Sequence, residues 1–214
     1  MIGRLRFGYA MVLAVAAVWC ARGNAQSASP QTTDGLERVD SPFSVLYWRP
    51  GETLESYRRV VLVDCYVEFR KDWLRDQNRG KRSFNLVTAE DMARIQETLS
   101  EEFLEVVTEV LEEDGAYEIV DVAANDVLLL RPAIVNVDVG ADIYGSGNQL
   151  PDRSNGISMT LYLEFYDSVT GTLIGRAYDP SVRPEVDRAA ARRILSRWAR
   201  DVRVILDPNR NASD

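Results

Sequence analysis

Residues 88–114 form the most regular segment of the chain, and their spacing predicts one long amphipathic helix. Thr88 is suited to cap its N-terminus, with Asp91 three residues later to complete the cap. Gly115 follows its end, where a left-handed backbone is common. The predicted buried face recurs every three or four residues and consists of Met92, Ile95, Leu99, Phe103, Val106, Val107, Val110 and Leu111. A face this broad must pack on another layer, so the helix implies a domain with a core.

A second amphipathic helix is predicted over residues 185–206, with an apolar line of Ala190, Ile194, Trp198, Val202 and Leu206. The outer surfaces of the two helices carry opposite charge: Glu97, Glu101, Glu105, Glu109 and Glu113 on the first, and Arg188, Arg192 and Arg200 on the second. One interpretation is two solvated surfaces, with Arg193 or Arg197 meeting Glu102 or Glu112 between the helices. The other interpretation is a charged docking surface for a partner protein or an oligomer.

The segments around the helices have the composition of β-strands. Residues 60–69 are rich in β-branched and aromatic side chains, and further strands are predicted at 117–120, 127–139, 157–165 and 172–178. Pro132 has no N–H to donate, so it predicts a bulge or an edge within its strand. Residues 36–53 are interpreted as an irregular lead-in. The predicted fold class is α+β: a mainly antiparallel sheet of four to five strands carrying two long amphipathic helices, in β-α-β-β-β-α order.

The N-terminus has the layout of a secretory signal peptide. Arg4 and Arg6 precede an uncharged apolar segment, residues 7–20, and cleavage is predicted between Ala25 and Gln26. Lipidation at Cys20 is the alternative, although Trp19 is bulky for a lipoprotein signal, and an uncleaved anchor is a third. The resulting division is a signal peptide at 1–25, a flexible tether at 26–35, one domain at 36–207 and a disordered tail at 208–214. We therefore expect an exported protein, either in the periplasm or associated with the outer membrane.

Composition argues against several classes of function. The chain contains no histidine, which excludes Ser-His-Asp and Cys-His catalysis and His-ligated zinc. Its formal net charge of −8 disfavours nucleic-acid binding. Cys65 falls inside a predicted strand, which favours a buried and inert thiol. Asp138 and Asp142 could hold calcium, but the EF-hand pattern is absent. We expect no catalytic residues, no metal, no cofactor and no contact with a membrane beyond a lipid anchor.

Three stretches resemble one family of bacterial envelope proteins. They are YWRPGETLESYRRVVLVDCYVEF at residues 47–69, followed by Trp73; the hairpin YDSVTGTLIGRAYD at 166–179; and RWARDVRVILD at 197–207. Together they resemble the family catalogued as domain of unknown function 3313, over most of residues 36–207. The resemblance implies a lipoprotein-like envelope protein of uncharacterised activity. The weak lipidation signal around Cys20 departs from that pattern.

Three functional hypotheses follow. The first is a non-enzymatic envelope protein that acts through contacts with an envelope protein or with further copies of itself. The second is a small-ligand-binding periplasmic module that uses the aromatic rings of Tyr47, Trp48 and Trp73 with the loop at residues 140–156, and it requires an apolar pocket lined by those rings. The third is a carboxylate hydrolase, which requires two buried carboxyl groups converging in a cleft.

Overall fold

The structure is a computed structural model, and it describes residues 32–82, 86–144, 156–185 and 187–207. The strands within these ranges are β1 Glu37–Val39, β2 Val45–Trp48, β3 Arg59–Leu62, β4 Tyr66–Phe69, β5 Glu118–Ile119, β6 Val127–Asp138, β7 Ile157–Asp167 and β8 Leu173–Arg183. The helices are α1 Trp73–Gln77, α2 Ala89–Glu112, α3 Ala141–Tyr144 and α4 Arg188–Leu206. A 3-10 turn, Glu113–Gly115, follows α2.

The strands make one mixed sheet, ordered β1-β2-β8-β7-β6-β3-β5, with β4 also paired to β6. The neighbouring pairs β1–β2, β2–β8, β8–β7 and β7–β6 are antiparallel. The pairs β3–β5, β3–β6 and β4–β6 are parallel. The predicted fold class is therefore wrong: the described residues form eight strands and four helices, rather than four to five strands and two helices. Strands β1, β2 and β5 have only two to four residues, which is too short to show an alternation in the sequence.

Pro132 explains why the predicted strand at 60–69 is two strands. In β6, Leu130 accepts a hydrogen bond from the N–H of Val63, so the backbone of Pro132, two residues later, is directed towards the same neighbour. Proline has no N–H to offer there. Strand β3 ends opposite Leu130, β4 begins opposite Ala133, and the intervening residues leave the ladder. The position where β6 lacks an N–H donor thus coincides with the break between β3 and β4.

The long helices are present at the predicted positions. Thr88 caps α2, with reciprocal hydrogen bonds to Asp91, and Asp114 and Gly115 end it with left-handed backbone conformations. Asp187 caps α4 through the N–H of Ala190 at 2.6 Å. Arg203 of α4 donates to the carbonyl of Val110 at 2.8 Å, near the C-terminus of α2.

The outer charges of the two helices partly neutralise each other. The guanidinium of Arg188 binds the buried carboxylate of Glu102, and Arg192 lies 3.4 Å from Glu105 and 3.5 Å from Glu109. The predicted pairs involving Arg193 and Arg197 are not formed among the described residues. Arg193 lies 3.6 Å from Glu185, and Arg197 binds Asp179 and Asp201.

Several predictions fall outside the described residues. These are the signal peptide with Cys20, Ala25 and Gln26, most of the tether, residues 145–155 of the long loop, and the tail at 208–214. The last residues of the predicted tether are described: 32–35 form a turn, and Leu36 after them is completely buried. None of the described helices has both the length and the apolarity that a membrane span requires.

Candidate functional site

The two faces of the sheet differ in what covers them. On one, which we call the covered face, Leu161, Leu163 and Phe165 of β7 are at most 1% exposed and share a core with apolar residues of α2 and α4. The alternating residues Tyr162, Glu164 and Tyr166 point to the other side, which we call the open face. No described helix packs on the open face.

The strand register arranges the open face in rows that cross the sheet. One row consists of Val45, Tyr178, Tyr162, Ala133 and Tyr66. The next consists of Arg38, Tyr47, Arg176, Glu164 and Arg131. A third consists of Leu173, Tyr166, Leu129 and Val61. Tyr178, in mid-sheet, is 43% exposed, and Tyr66, on β4 beside β6, is 60% exposed; both values are high for tyrosine. The open face is therefore a tyrosine-rich surface across five strand positions.

Glu164 organises the centre of the open face. Its side chain is almost buried and accepts hydrogen bonds from the hydroxyls of Tyr162 at 2.9 Å and Tyr166 at 2.8 Å. Arg176 donates to it through Nε and Nη2 at 3.2 and 3.1 Å. Burial opposes ionisation of Glu164, but the bonds from Tyr166, Tyr162 and Arg176 outweigh burial and lower its pKa. Burial and the bond to Glu164 raise the pKa of Tyr162 to about 12, so this hydroxyl remains a donor.

A depression of about 470 Å³ opens on the same face where the strand is interrupted between β3 and β4. It is lined by Val63, Asp64, Tyr66, Arg131, Pro132, Ala133, Tyr162 and Glu164. Arg131 is largely exposed and lies 3.6 Å from Glu164. The break opposite Pro132 thus gives the open face a recess with aromatic walls and charges of both signs.

A second buried carboxylate, Asp179, lies on the covered face. Its Oδ1 accepts from the N–H and the hydroxyl of Ser44 at 2.9 and 2.6 Å. Its Oδ2 accepts from Arg197 at 2.5 Å and from the indole of Trp198 at 2.8 Å. Burial opposes its ionisation, yet the bonds from Ser44 and Arg197 prevail and lower its pKa. Asp179 thereby joins β8, the segment before β2, and α4.

The carboxylate hydrolase hypothesis finds no support in this geometry. Asp201 shares Arg197 with Asp179, and burial raises the pKa of Asp201. Both oxygens of Asp179 are occupied by protein donors, and neither acid lines the recess on the open face or the pocket beside Trp48. Among the described residues, Asp201 is only partly buried, and the buried acids besides Asp179 are Glu164 on the opposite face and Glu102, which is paired with Arg188.

Among the described residues, the three rings of the predicted aromatic ligand site do not come together. Trp73 is buried, stacks on Phe69 at 4.0 Å and donates to the carbonyl of Val139. Tyr47 and Trp48 are consecutive strand residues and therefore point to opposite faces. Trp48 lines a pocket of about 340 Å³ between β1, β2, residues 52–55 and the end of α4, and neither Tyr47 nor Trp73 lines that pocket.

Cys65 and Asp138, which were also singled out from the sequence, are held within the fold. Burial raises the pKa of Cys65 to about 12, against the opposing hydrogen bond from the backbone of Ile134, so its thiol is protonated and a poor nucleophile. Asp138 pairs with Arg70 at 2.8 Å. Within the described ranges, no three candidate ligands cluster around a metal position.

Glu164 and Asp179 were missed from the sequence. The Tyr-Leu-Glu-Phe-Tyr segment at 162–166 did contain a signal, since alternation places both tyrosines beside Glu164. No local sequence signal indicated Asp179, because its hydrogen-bond donor Ser44 is 135 residues away in the chain.

No family model matches the chain, and no curated protein matches it significantly. Among solved structures, the chain is similar to protein XCC0632 from Xanthomonas campestris, of family DUF330, with 13% identity and a TM-score of 0.42 over 78% of this chain and 93% of that one. It is also similar to the PelC dodecamer from Paraburkholderia phytofirmans, with 13% identity and a TM-score of 0.36 over 71% of this chain and 96% of that one. Likenesses this weak carry no functional argument, and we rest none on them.

Proposed function

We propose that this protein is an exported, non-enzymatic protein of the bacterial envelope that acts by binding proteins, including further copies of itself, through its open face. The observation that carries this proposal is the asymmetry of the sheet. One face is buried under α2 and α4, whereas the other presents Tyr66 and Tyr178, both well exposed, on a row that crosses five strand positions.

The size of the open face supports a protein partner. Five neighbouring strand positions and about eight residues along β6 to β8 span roughly 20 Å by 25 Å at ordinary strand spacings. Because protruding side chains make the accessible area larger than this flat extent, the area of the open face approaches the ~800 Å² per partner of a standard interface. A smaller ligand would leave most of the face exposed.

The chemistry of the open face supports the same proposal. Tyrosine and arginine are enriched where interfaces bind most strongly, because each combines a large apolar area with a polar tip. Arg176 also lies over the ring of Tyr162, 5.7 Å from its centroid. Because Glu164 holds the hydroxyls of Tyr162 and Tyr166, those two rings are fixed before a partner arrives, which reduces the entropy lost on binding.

Cross-linking in the native host tests the proposal. A photoreactive phenylalanine is placed at Tyr66 or Tyr178 on the open face, and at Glu97 or Glu101 on the outer surface of α2 as matched controls. We expect defined protein adducts from the two open-face positions, with adducts to the same chain identified by mass. Adducts from the α2 positions alone would refute the proposal and support the charged helix surface instead.

Export and membership of the domain of unknown function 3313 family remain part of the proposal, and they rest on the signal-like N-terminus and on the three sequence stretches described above. Intact-mass measurement after separating membrane and soluble fractions tests export. A soluble species beginning at Gln26 is the expected product. A membrane species beginning at an acylated Cys20 would make the protein a lipoprotein, and a full-length cytoplasmic species would refute export.

A further inference from the structure

The pocket beside Trp48 has a composition that the open face lacks. Its apolar lining residues are Val39, Leu46, Trp48, Leu54, Ile205 and Leu206, and its polar lining residues, all exposed, are Asp40, Glu52, Thr53, Glu55 and Asp207. We infer that this pocket binds an amphipathic organic cation, meaning a molecule with an apolar chain and a terminal ammonium group. This site is separate from the open face, because Trp48 points to the covered side of the sheet.

The apolar wall of the pocket is fixed in place. The indole of Trp48 donates to the carbonyl of Glu52 at 3.0 Å and meets the ring of Phe165 edge-on at 5.4 Å between centroids. Gly175 lies beneath it so closely that an added Cβ would be 2.2 Å from the indole. A rigid indole offers both apolar contact and a face that attracts a cation.

The charged side chains that line the pocket have one sign. Its lining includes four carboxylates and no lysine or arginine. Asp40, Glu52 and Glu55 form no ion pair with a described residue, so their charges are not neutralised by the protein there. The pocket also lies at the C-terminal end of α4, a helix of 19 residues, whose dipole is negative at that end. A cation is therefore favoured and an anion of the same shape is repelled.

The size of the pocket limits the apolar part of the ligand. A volume of about 340 Å³ lies near the lower end of the ~300–1,000 Å³ range of ligand pockets, which suits a linear chain of about eight carbons. The recess on the open face is different: Arg131 and Asp64 give it charges of both signs. Of these two pockets, only the one beside Trp48 is expected to select a cation.

Calorimetric titration of the purified protein with octylammonium and with octanoate tests the inference, because the two probes share a chain and differ in charge. Below their micelle concentrations at neutral pH, octylammonium is expected to bind at least tenfold more tightly than octanoate. Tryptophan fluorescence should change on binding, since among the described tryptophans Trp73 and Trp198 are buried and Trp48 is not. Equal binding of the two probes, or no binding of octylammonium at millimolar concentration, would overturn the inference.

Two sets of variants place the binding in this pocket. The triple variant Asp40→Asn, Glu52→Gln, Glu55→Gln is expected to weaken octylammonium binding at least tenfold. The control triple Glu97→Gln, Glu101→Gln, Glu112→Gln removes the same charge from exposed positions of α2 and should leave the affinity unchanged. Gly175→Ala keeps every charge but displaces Trp48, so it should abolish binding of octylammonium. Unchanged affinity in the pocket triple or in Gly175→Ala, with folding verified by circular dichroism, would overturn the assignment.

Discussion

Asp179 on the covered face and Glu164 on the open face are both buried carboxylates saturated with hydrogen-bond donors, yet they connect different parts of the molecule. The donors to Asp179 come from Ser44, Arg197 and Trp198, which lie in three segments distant in sequence. The donors to Glu164 come from its own strand and the adjacent one. The first network joins the helix layer to the sheet, whereas the second fixes side chains within one surface.

The two hydrogen-bond networks should therefore affect different properties: that of Asp179 the stability of the fold, and that of Glu164 the positions of the side chains on the open face. Removing Asp179 would leave the fully buried indole of Trp198 without its acceptor, and water cannot replace that bond. Arg197 is partly exposed and would keep only Asp201 as an ion-pair partner among the described residues. The side chains around Glu164 are half-exposed, so water can replace part of what they lose. We therefore expect the covered face to determine the free energy of unfolding and the open face to determine binding.

The largest effect is expected from Asp179→Ala, which should lower the free energy of unfolding by about 2–4 kcal/mol because the buried indole of Trp198 loses its acceptor and Arg197 loses one of its two carboxylate partners. Urea denaturation followed by circular dichroism measures it. Asp121→Ala, at an exposed position, is the control and should change stability by less than about 0.5 kcal/mol. A loss below about 1 kcal/mol for Asp179→Ala would mean that the network does not hold the layers together.

Glu164→Gln should have a smaller effect, about 1–2 kcal/mol, because the amide keeps the shape of the side chain while weakening charge-assisted hydrogen bonds. The same denaturation experiment measures it. Binding through the open face should weaken as well, since Tyr162 and Tyr166 lose their anchor. If Glu164→Gln destabilised the protein as much as Asp179→Ala, the comparison between the faces would fail.

The effect of Glu164→Gln should also depend on pH. The pKa of Glu164 is lower in the folded protein than its ordinary value, so its contribution is present above the unfolded pKa of about 4.3 and is lost as the pH falls through the folded pKa. The stability difference between the wild type and Glu164→Gln should therefore shrink below about pH 4. Denaturation curves between pH 2.5 and 7 measure this, and a difference that grows in acid would contradict the assignment of an ionised Glu164.

Tyr66→Ala and Tyr178→Ala should change stability least, by less than about 0.5 kcal/mol each, because both rings are well exposed in the isolated chain. Their effect on protein contacts should be the reverse, with binding weakened at least tenfold if they anchor the interface. Sedimentation velocity over a range of concentrations measures self-association. Variants that associate as well as the wild type would exclude these tyrosines from the contact between copies.

The sequence predicted those helices and strands whose periodic pattern of apolar residues extends over many residues. The amphipathic faces of α2 and α4 and the alternation in β7 each extend over many residues, so their signals are strong. The number and direction of strands were not predictable in this way. Strand β5 has two residues, and β3 and β4 gain their parallel partner only when β6 is placed beside them. Pro132 did carry a local signal, and the break opposite it explains the split strand.

The candidate sites depended more on tertiary structure. The pocket beside Trp48 combines residues 39–55 with residues 205–207, and no local pattern brings such distant segments together. The charged helix surfaces were recognised in the sequence, but the partners of Arg188 and Arg192 depended on how α4 lies against α2. Glu164 could have been found, because the alternation that buries Leu163 and Phe165 also groups Tyr162 and Tyr166 around it.

Covalent labelling of tyrosine in intact cells, mapped by mass spectrometry against the dilute purified protein, tests the central claim most directly. If the open face binds proteins, Tyr66 and Tyr178 should be protected in the cell and reactive in the dilute protein, while carboxyl labelling of Glu97 and Glu101 on α2 should be equal in both. Equal reactivity of Tyr66 and Tyr178 in both samples, with protection confined to α2, would contradict the account.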